Sequence, residues 1–182
     1  MVTDSARLFS FEDLDPGLIK KASRIQLVGT DIDGVWTDAR MYYSTSGDVI
    51  KGYSTYDGYG VSLLRQAGIP TVIMTGENCE TVRLRAEKLR IEWLYMGETE
   101  KLKRLQYLCT RLNIPLSKTA YIGDDLNDLE TLAAVGLSAM PPNSPVLNQF
   151  TPDFITTRSG GNGAFRDLSD LILYSRNNIK TL

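Results

Sequence analysis

The sequence predicts an α/β fold: a doubly wound, Rossmann-like parallel sheet with helices on both faces and a β-hairpin inserted after the first strand. Short apolar runs alternate with segments of helical periodicity along most of the chain, which indicates repeated strand-helix units with right-handed crossovers. Acidic clusters follow two of these runs directly, as expected at the carboxyl ends of parallel strands. The length of 182 residues fits one domain, 1–182, because a domain commonly takes roughly 100–200 residues.

The first third of the chain contains a leading arm, the first strand and the hairpin. Residues 1–22 are polar apart from a short amphipathic piece, so we expect an arm that docks on the domain. The apolar run at 25–30 predicts the first strand. Tyrosine-containing segments flank a turn with Gly47, and this pattern predicts the hairpin at 39–53.

Beyond the hairpin, strands and helices alternate regularly. The periodicity predicts helices near 57–67, 77–90, 99–112 and 126–135, and strands at 70–74, 92–95 and 119–122. Two short apolar pieces, 135–137 and 154–155, predict late edge strands before a final helix near 164–175.

Composition excludes several classes of function. Histidine is absent, so His-based relays and His-ligated zinc are excluded, and carboxylates and lysines must carry any chemistry. The formal net charge of -2 argues against a general nucleic-acid binder. No apolar stretch approaches the ~20 residues that a membrane span needs. The two cysteines lack metal-binding spacing and no signal-peptide pattern is present, so we expect a cytoplasmic protein.

Acidic residues cluster after two of the predicted strands. The segment DIDGVWTD begins at Asp31 after the first strand, and GDDLND at 123–128 follows the strand at 119–122. In an open parallel sheet both clusters would open into one crevice beyond the strand ends. Crowded carboxylates repel one another unless a cation neutralises them, and hard cations such as Mg2+ take oxygen ligands. The sequence therefore predicts a magnesium site.

Residues between and within these clusters suit phosphoryl transfer. Thr75 and Gly76 follow a predicted strand, where a hydroxyl and backbone amides could bind phosphate near a helix start. Lys101 offers a compact positive charge for the same group. We predict that Asp31 attacks phosphorus and forms an aspartyl-phosphate, while Asp33 protonates the leaving alcohol and later deprotonates the hydrolytic water. Taken alone, Thr75 would be interpreted as part of a turn and Lys101 as a solvated surface residue. Together with the two acidic clusters, in this order along the chain and after predicted strands, they favour catalysis.

In order, DIDGVWTD, the Thr-Gly pair, Lys101 and GDDLND resemble the four motifs of the haloacid dehalogenase superfamily of phosphotransferases. The resemblance covers roughly residues 25–175. It implies that Mg2+ is held by the Asp31 carboxylate, the Asp33 main-chain carbonyl and Asp124. It also implies supporting positions for Asp125 and Asp128.

Two hypotheses without hydrolysis stay open. A phosphoacceptor domain such as a response regulator lacks a second acid at the Asp33 position. A scaffold or regulatory module associated with a sugar-nucleotide synthetase would carry a degenerate site. The intact set argues against such a module: Asp31, Asp33, Thr75, Lys101 and Asp124. The sequence therefore favours an enzyme, a phosphomonoesterase.

Neither interval between the motifs has room for an inserted cap domain. An uncapped site accepts a macromolecular phosphate or borrows a lid from a neighbouring subunit, and the tyrosine-rich hairpin is a candidate for that contact. The segments DIDGVWTDARMYY, DGYG and GGNGAFRD resemble the KDO (3-deoxy-D-manno-octulosonate) 8-phosphate phosphatase group of uncapped tetramers. The resemblance implies a sugar-acid phosphate substrate, a homotetramer whose neighbours complete each site, and a flexible Gly-rich loop at 158–166. Arg166 is either a substrate ligand or a surface charge.

Glu77 narrows the resemblance further. KDO phosphatases usually continue the Thr-Gly motif with Arg, so Glu77, with Arg85 and Lys88, resembles the branch that acts on KDN and N-acylneuraminate 9-phosphates. We therefore expect a nonulosonate 9-phosphate as substrate, recognised by Glu77, Arg85 and Lys88. KDO 8-phosphate is the alternative substrate. About 16 Å of helix would separate Glu77 from Lys88, so one of them would serve a neighbouring subunit. A solvated basic helix face is the alternative for Arg85 and Lys88.

Overall fold

The computed structural model describes residues 14–45 and 47–178. The described chain begins with helix α1 (Pro16–Ala22), which falls within the predicted arm. Asp15 caps this helix, since its carboxylate accepts a hydrogen bond from the backbone N–H of Leu18. Helix α1 packs against the last helix of the chain. The remainder of the predicted arm, 1–13, lies outside the described residues.

Six parallel strands form the central sheet, and two more form the hairpin. The strands are β1 (Leu27–Thr30), the hairpin pair β2 (Tyr42–Ser44) and β3 (Gly47–Ile50), β4 (Thr71–Met74), β5 (Trp93–Tyr95), β6 (Thr119–Ile122), β7 (Leu137–Met140) and β8 (Phe154–Ile155). The order in the sheet is β5-β4-β1-β6-β7-β8. The chain therefore runs outward from β1 to β5 and returns to the other side of β1. The predicted doubly wound α/β fold is confirmed, with its topological switch point at β1.

Alternating side chains along each strand separate two apolar cores. Helices α1, α2 (Thr55–Gln66), α3 (Glu80–Leu89) and α6 (Ala164–Asn178) cover one face, and α4 (Lys101–Leu112) and α5 (Leu129–Ala134) cover the other. In β1, Val28 packs in the first core and Leu27 in the second. In β4, Ile73 packs in the first core and Val72 in the second. Burial on both faces explains why these strands are continuous apolar runs.

The hairpin strands β2 and β3 pair antiparallel in a separate two-stranded sheet. This is the predicted hairpin, although its second strand ends at Ile50 instead of continuing to residue 53. The next residues carry the chain to Ser54, whose hydroxyl caps α2 by accepting the backbone N–H of Tyr56. Tyr42, Tyr43 and Ile50 are exposed.

Two helices differ from their predicted bounds for local reasons. Helix α3 begins at Glu80, three residues after the predicted start, because Cys79 has an extended backbone. The predicted helix at 126–135 is a 3-10 turn (Leu126–Asp128) followed by α5. A capping box spans this turn: the Asp125 carboxylate accepts the backbone N–H of Asp128, and the Asp128 carboxylate accepts the backbone N–H of Asp125.

Within 14–45 and 47–178, the connections between sheet strands hold only the hairpin, the helices and loops, so no cap domain is present in this part of the chain. No helix within the same ranges is both long enough and apolar enough to cross a membrane.

Candidate active site

Three functional side chains converge at the switch point because they follow neighbouring strands. Asp31 follows β1, Thr75 follows β4, and Asp124 follows β6 after one glycine. The order β4-β1-β6 places the three strand ends side by side. A cavity of about 220 Å³ opens over them, and its lining comprises Asp31, Asp33, Ala39, Met41, Thr75, Gly76, Glu77, Asp124, Asp125 and Asn127.

Asp31 is held on both oxygens at the floor of the cavity. Its Oδ1 accepts the backbone N–H of Ile32 at 2.7 Å, and its Oδ2 accepts a hydrogen bond from Lys101 Nζ at 2.7 Å. Burial, followed by the negative charge of Asp128, raises the pKa of Asp31 to about 7, against the opposing effect of Lys101. A cation beside this carboxyl would favour the ionised form that a nucleophile needs.

Lys101 joins two buried carboxylates. Its Nζ lies 2.7 Å from Asp31 Oδ2 and 2.7 Å from Asp128 Oδ1, and its side chain is 1% exposed. Burial alone lowers the pKa of Lys101, but the two carboxylates outweigh that effect and raise the pKa above its ordinary value. Lys101 therefore holds a fixed positive charge at the first residue of α4.

Asp124 lies against the backbone of the first acidic loop. A β-carbon at Gly34 would lie 1.8 Å from Asp124 Oδ2, and Gly34 has a φ of +85°, so only glycine permits this approach. Burial, followed by the charges of Asp31, Asp128 and Asp125, raises the pKa of Asp124 to about 8. This repulsion among carboxylates is what a bound cation would relieve.

Asp128 already has a full set of hydrogen-bond partners. Its Oδ1 accepts from Lys101 Nζ and from the Tyr121 hydroxyl, each at 2.7 Å. Its Oδ2 accepts from the backbone N–H groups of Asp124 and Asp125 at 3.0 and 3.3 Å. A carboxylate has about four lone-pair sites, so these four donors leave no site for a metal. A supporting role for Asp128 stays the prediction.

The carboxylates fit a magnesium ion. Asp31, Asp124 and Asp128 each offer one oxygen, and these oxygens lie within 4.8 Å of one another. Because Asp128 is committed to four donors, Asp31 and Asp124 are the carboxylates available to the cation. Mg2+ is commonly bound through one or two carboxylates and keeps several waters. The Asp33 carbonyl remains the predicted third protein ligand, and Asp125, whose carboxylate caps the following turn, remains a predicted supporting residue.

Asp33 lines the cavity and has a cationic partner. Lys51 Nζ lies 2.6 Å from Asp33 Oδ1 and 2.5 Å from Asp33 Oδ2. The hydroxyl of Thr37 donates to Asp33 Oδ1 at 3.3 Å. The Lys51 side chain is 4% exposed, whereas that of Asp33 is 22% exposed. Asp33 therefore combines access to the cavity with a fixed orientation.

The predicted phosphate-binding residues face the same cavity. The buried Thr75 hydroxyl accepts the backbone N–H of Glu77 at 3.3 Å, which leaves its own O–H available to donate to an oxyanion. Gly76 borders open space, since no atom lies within 4 Å of the position of a β-carbon there. Phosphate binding at Thr75 and Gly76 stays a prediction, in agreement with this placement.

Of the four predicted sugar-recognition residues, Glu77 alone lines the cavity. Arg85 is half-buried elsewhere: its Nη2 donates to the Ser54 carbonyl at 2.9 Å, and its guanidinium lies over the Tyr53 ring. Lys88 is exposed in the last turn of α3.

Arg166 is likewise engaged away from the cavity. Its Nε donates to Asp170 at 2.7 Å, one helical turn further along α6, and its guanidinium lies over the Tyr59 ring. Within one subunit, Arg85, Lys88 and Arg166 therefore do not join Glu77 at the cavity. A substrate contact from any of them stays a prediction that involves a neighbouring subunit.

The Gly-rich segment at 158–166 packs behind the first acidic loop instead of lining the cavity. The N–H of Gly160 donates to Asn143 Oδ1 at 2.9 Å, and the N–H of Gly161 donates to the Val35 carbonyl at 3.0 Å. A β-carbon at Gly160 would lie 1.8 Å from the Gly34 carbonyl oxygen. The resemblance implied a flexible loop beside the substrate, whereas this segment supports the loop that carries Asp33.

Sequence reasoning missed four residues that orient the site. Lys51 and Thr37 contact Asp33, Tyr121 contacts Asp128, and the Ser144 hydroxyl donates to the Asp124 carbonyl at 2.5 Å. Tyr121 and Thr37 could have been found, because Tyr121 lies in the strand that leads to the second acidic cluster and Thr37 lies within the DIDGVWTD segment. Lys51 and Ser144 are brought to the site by tertiary packing and carry no local motif.

Comparisons with known proteins identify the family. Residues 77–163 match the haloacid dehalogenase-like hydrolases. The KDO 8-phosphate phosphatase of Haemophilus influenzae is 34% identical over 157 residues, which cover 86% of this chain and 87% of that protein. The enzyme of the same name from Yersinia pestis has a crystal structure with a TM-score of 0.87 and 34% identity, covering 92% of this chain and 90% of that one.

A third relative bears on the metal. The crystal structure of KDO 8-phosphate phosphatase from Moraxella catarrhalis, in complex with magnesium, phosphate and KDO, has a TM-score of 0.85 and 38% identity, covering 90% of this chain and 94% of that one. With the carboxylate geometry described above, it confirms the predicted magnesium cofactor. These relatives support the KDO 8-phosphate phosphatase group and give no support to the nine-carbon branch. The chain belongs to the haloacid dehalogenase superfamily, as a sugar-phosphate phosphomonoesterase related to the KDO 8-phosphate phosphatases.

Proposed function

We propose that this chain hydrolyses KDO 8-phosphate to KDO and inorganic phosphate, with Mg2+ held by Asp31, Asp124 and the Asp33 carbonyl. The observation that carries the proposal is the buried Asp31 carboxylate, fixed by Lys101 at 2.7 Å on the floor of an acidic cavity. The agreement with KDO 8-phosphate phosphatases over at least 86% of the chain supports the choice of substrate.

The eight-carbon acid replaces the nonulosonate 9-phosphate expected from the sequence. That expectation depended on Glu77, Arg85 and Lys88 acting together, and only Glu77 lines the cavity. Because Glu77 does face the site, a KDN or N-acylneuraminate 9-phosphate remains the second candidate. Both substrates are sugar-acid phosphates that need the same phosphoryl chemistry.

In the first half-reaction, an Asp31 carboxylate oxygen attacks phosphorus as the bond from phosphorus to the sugar oxygen breaks. Asp33 gives its proton to the departing sugar oxygen, so the sugar leaves as a neutral alcohol. Lys101 and the Thr75 hydroxyl stabilise the negative charge of the phosphoryl group. When bound, Mg2+ neutralises further charge on the phosphoryl oxygens. The product on the enzyme is an aspartyl-phosphate at Asp31.

In the second half-reaction, water attacks phosphorus and the bond to the Asp31 oxygen breaks. Asp33, now ionised, takes the proton from this water. Asp31 returns to its carboxylate form and inorganic phosphate leaves. The proton taken from water returns Asp33 to its protonated form, so the enzyme is ready for the next cycle.

The open cavity needs a cover to bind a small sugar. No cap domain is present within 14–45 and 47–178, and the hairpin exposes Tyr42, Tyr43 and Ile50. We propose that neighbouring subunits of a homotetramer complete each site, with the hairpin among the contacts. Light scattering at assay concentration tests this, and a fully active monomer on KDO 8-phosphate would contradict it.

A substrate panel tests the proposed function. Phosphate release with Mg2+ is measured for KDO 8-phosphate, KDN 9-phosphate and N-acetylneuraminate 9-phosphate, and we expect the highest kcat/KM for KDO 8-phosphate. A higher value for either nine-carbon substrate refutes the eight-carbon assignment. Glu77→Arg, with exposed Glu92→Arg as the matched control, shows whether Glu77 selects between them: a change in the substrate ratio of roughly 10–100-fold corresponds to the loss of charged hydrogen bonds.

The same assay separates an enzyme from a regulatory module. A degenerate module would release no phosphate from any member of the panel with Mg2+ present. We expect turnover that stops when EDTA removes the metal and returns when Mg2+ is restored, since the carboxylates would lose their charge partner.

A further inference from the structure

Lys51 is enclosed in a way that surface lysines are not. It directly follows β3 of the hairpin, and its side chain is 4% exposed. By comparison, Lys103 pairs with Glu100 on the surface, where the lysine side chain is 74% exposed. Enclosing an ammonium is costly unless it is paired. A buried lysine with one carboxylate partner therefore indicates a fixed arrangement.

The contact between Lys51 and Asp33 is bidentate. Nζ lies 2.6 Å from Oδ1 and 2.5 Å from Oδ2, so the ammonium restricts rotation of the carboxylate about its last bond. The other side-chain contact that the structure describes at Asp33 is the Thr37 hydroxyl, at 3.3 Å. Lys51 therefore supplies most of the restraint on the orientation of Asp33.

We propose that Lys51 is a positioning residue that holds the Asp33 carboxylate toward the cavity and couples it to the hairpin. The inference rests on the proposed function, because it takes Asp33 as the group that exchanges protons with the leaving oxygen and water. Proton transfer needs a heavy-atom distance of about 2.6–3.2 Å in the reacting complex. A carboxylate free to rotate would meet that condition in only a fraction of its orientations.

The hairpin gains a second role from this coupling. β2 and β3 form their own two-stranded sheet and share no ladder with the central sheet. Lys51 is adjacent in sequence to β3 and in contact with Asp33, which lies two residues beyond the nucleophile. Displacement of the end of β3 would therefore move the partner of Asp33, whereas Asp31 is held by Lys101 of α4.

The first test compares two substrates that differ in their need for protonation. KDO 8-phosphate has a poor leaving group, whereas p-nitrophenyl phosphate needs little protonation. For Lys51→Met we expect kcat/KM on KDO 8-phosphate to fall by about 10–100-fold, the usual cost of losing an orienting partner, and kcat/KM on the aryl phosphate to fall less than about threefold. This ratio covers the steps up to the phosphoenzyme and leaves out the attack of water, which both substrates share. Equal losses on both substrates would mean that Lys51 binds the phosphoryl group, and would overturn the proposal.

Matched variants keep the test decisive. Lys20→Met makes the same change at an exposed position of α1, and wild-type rates are expected for it on both substrates. Lys51→Arg keeps the positive charge and should recover part of the lost rate on KDO 8-phosphate. If Lys51→Met does not fold, Lys51→Arg alone decides: its loss must be at least threefold larger on KDO 8-phosphate than on the aryl phosphate.

A double mutant separates this inference from the proposed function. Asp33→Asn should lose about 10²–10⁴ in rate on KDO 8-phosphate, and adding Lys51→Met should lower the rate by less than about twofold more. Wild-type activity of Asp33→Asn would refute the proposed chemistry itself. A loss in Asp33→Asn combined with wild-type activity of Lys51→Met, or a further tenfold loss in the double variant, would refute only the positioning role.

Discussion

Replacing Lys101 by methionine should destabilise the metal-free protein severely. The substitution keeps the length and much of the volume of the side chain but removes the charge that joins Asp31 and Asp128, whose side chains are 7% and 0% exposed. Removing one partner of a buried ion pair typically costs about 3–5 kcal/mol, because the remaining charge is left without compensation. We expect a decrease of that size in the free energy of unfolding at pH 8 in EDTA.

The size of this decrease should depend on pH with a definite sign. The pKa of Asp31 already lies at about 7 and that of Asp124 at about 8, both above the ordinary value, so each carboxyl costs stability as the pH rises through its folded-state pKa. Loss of the ammonium raises both pKa values further. Between the wild-type pKa of a carboxyl and its higher pKa in the variant, the free energy of unfolding of the variant falls by about 1.4 kcal/mol per pH unit, while that of the wild type no longer changes through this group. The gap between the two proteins should therefore be smallest near pH 5 and widen toward pH 9.

Urea unfolding followed by circular dichroism measures this gap. Lys103→Met is the matched control, because it makes the same change two residues away in α4, where the lysine is 74% exposed beside Glu100. Solvent screens an exposed pair, so it contributes little to stability, and its effect should not vary with pH. The reasoning fails if Lys101→Met destabilises no more than Lys103→Met, or if the gap narrows as the pH rises.

Three further outcomes follow from the same site. Asp31→Asn should lower kcat by more than about 10⁴-fold while the protein stays folded by circular dichroism, because an amide cannot form the phosphoenzyme; wild-type phosphate release would exclude Asp31 as nucleophile. Gly34→Ala should weaken Mg2+ binding by at least tenfold in calorimetry, since the new β-carbon would meet Asp124 Oδ2 at 1.8 Å; unchanged affinity would argue against Asp124 as a ligand. The affinity for Mg2+ should rise from pH 6 to 8 and level off above that range, because the cation must displace protons held by carboxyls with pKa values near 7 and 8; an affinity independent of pH would be inconsistent with these raised values.

The sequence was most informative where function and local structure coincide. Asp31, Thr75 and Asp124 each follow an apolar run, and strand ends in a parallel sheet meet at one edge, so their convergence could be anticipated from order alone. The same logic predicted the doubly wound sheet. Helix bounds were less predictable, because the start of α3 depends on the extended backbone of Cys79.

The residues that surround the nucleophile's loop were not predictable in the same way. Lys51 reaches Asp33 only because the hairpin folds back toward the site, and no local pattern encodes that return. Conversely, Arg85 and Arg166 look available for substrate in the sequence, but within the subunit they contact a backbone carbonyl and a neighbouring carboxylate. Glu77 is a single difference within a long resemblance, so it could not outweigh the rest of the chain in selecting a substrate.

The packing of Gly160 on the Gly34 carbonyl has a consequence for biosynthesis. The loop that carries Asp33 is made early, but its backing is supplied by residues translated more than a hundred positions later. Domains can begin to fold during synthesis, from the N-terminal side; here we expect the nascent chain to lack a finished nucleophile loop until the segment at 158–166 has emerged from the ribosome. Catalytic competence would then arise only near the end of translation, and chains that end before this segment would not turn over the substrate.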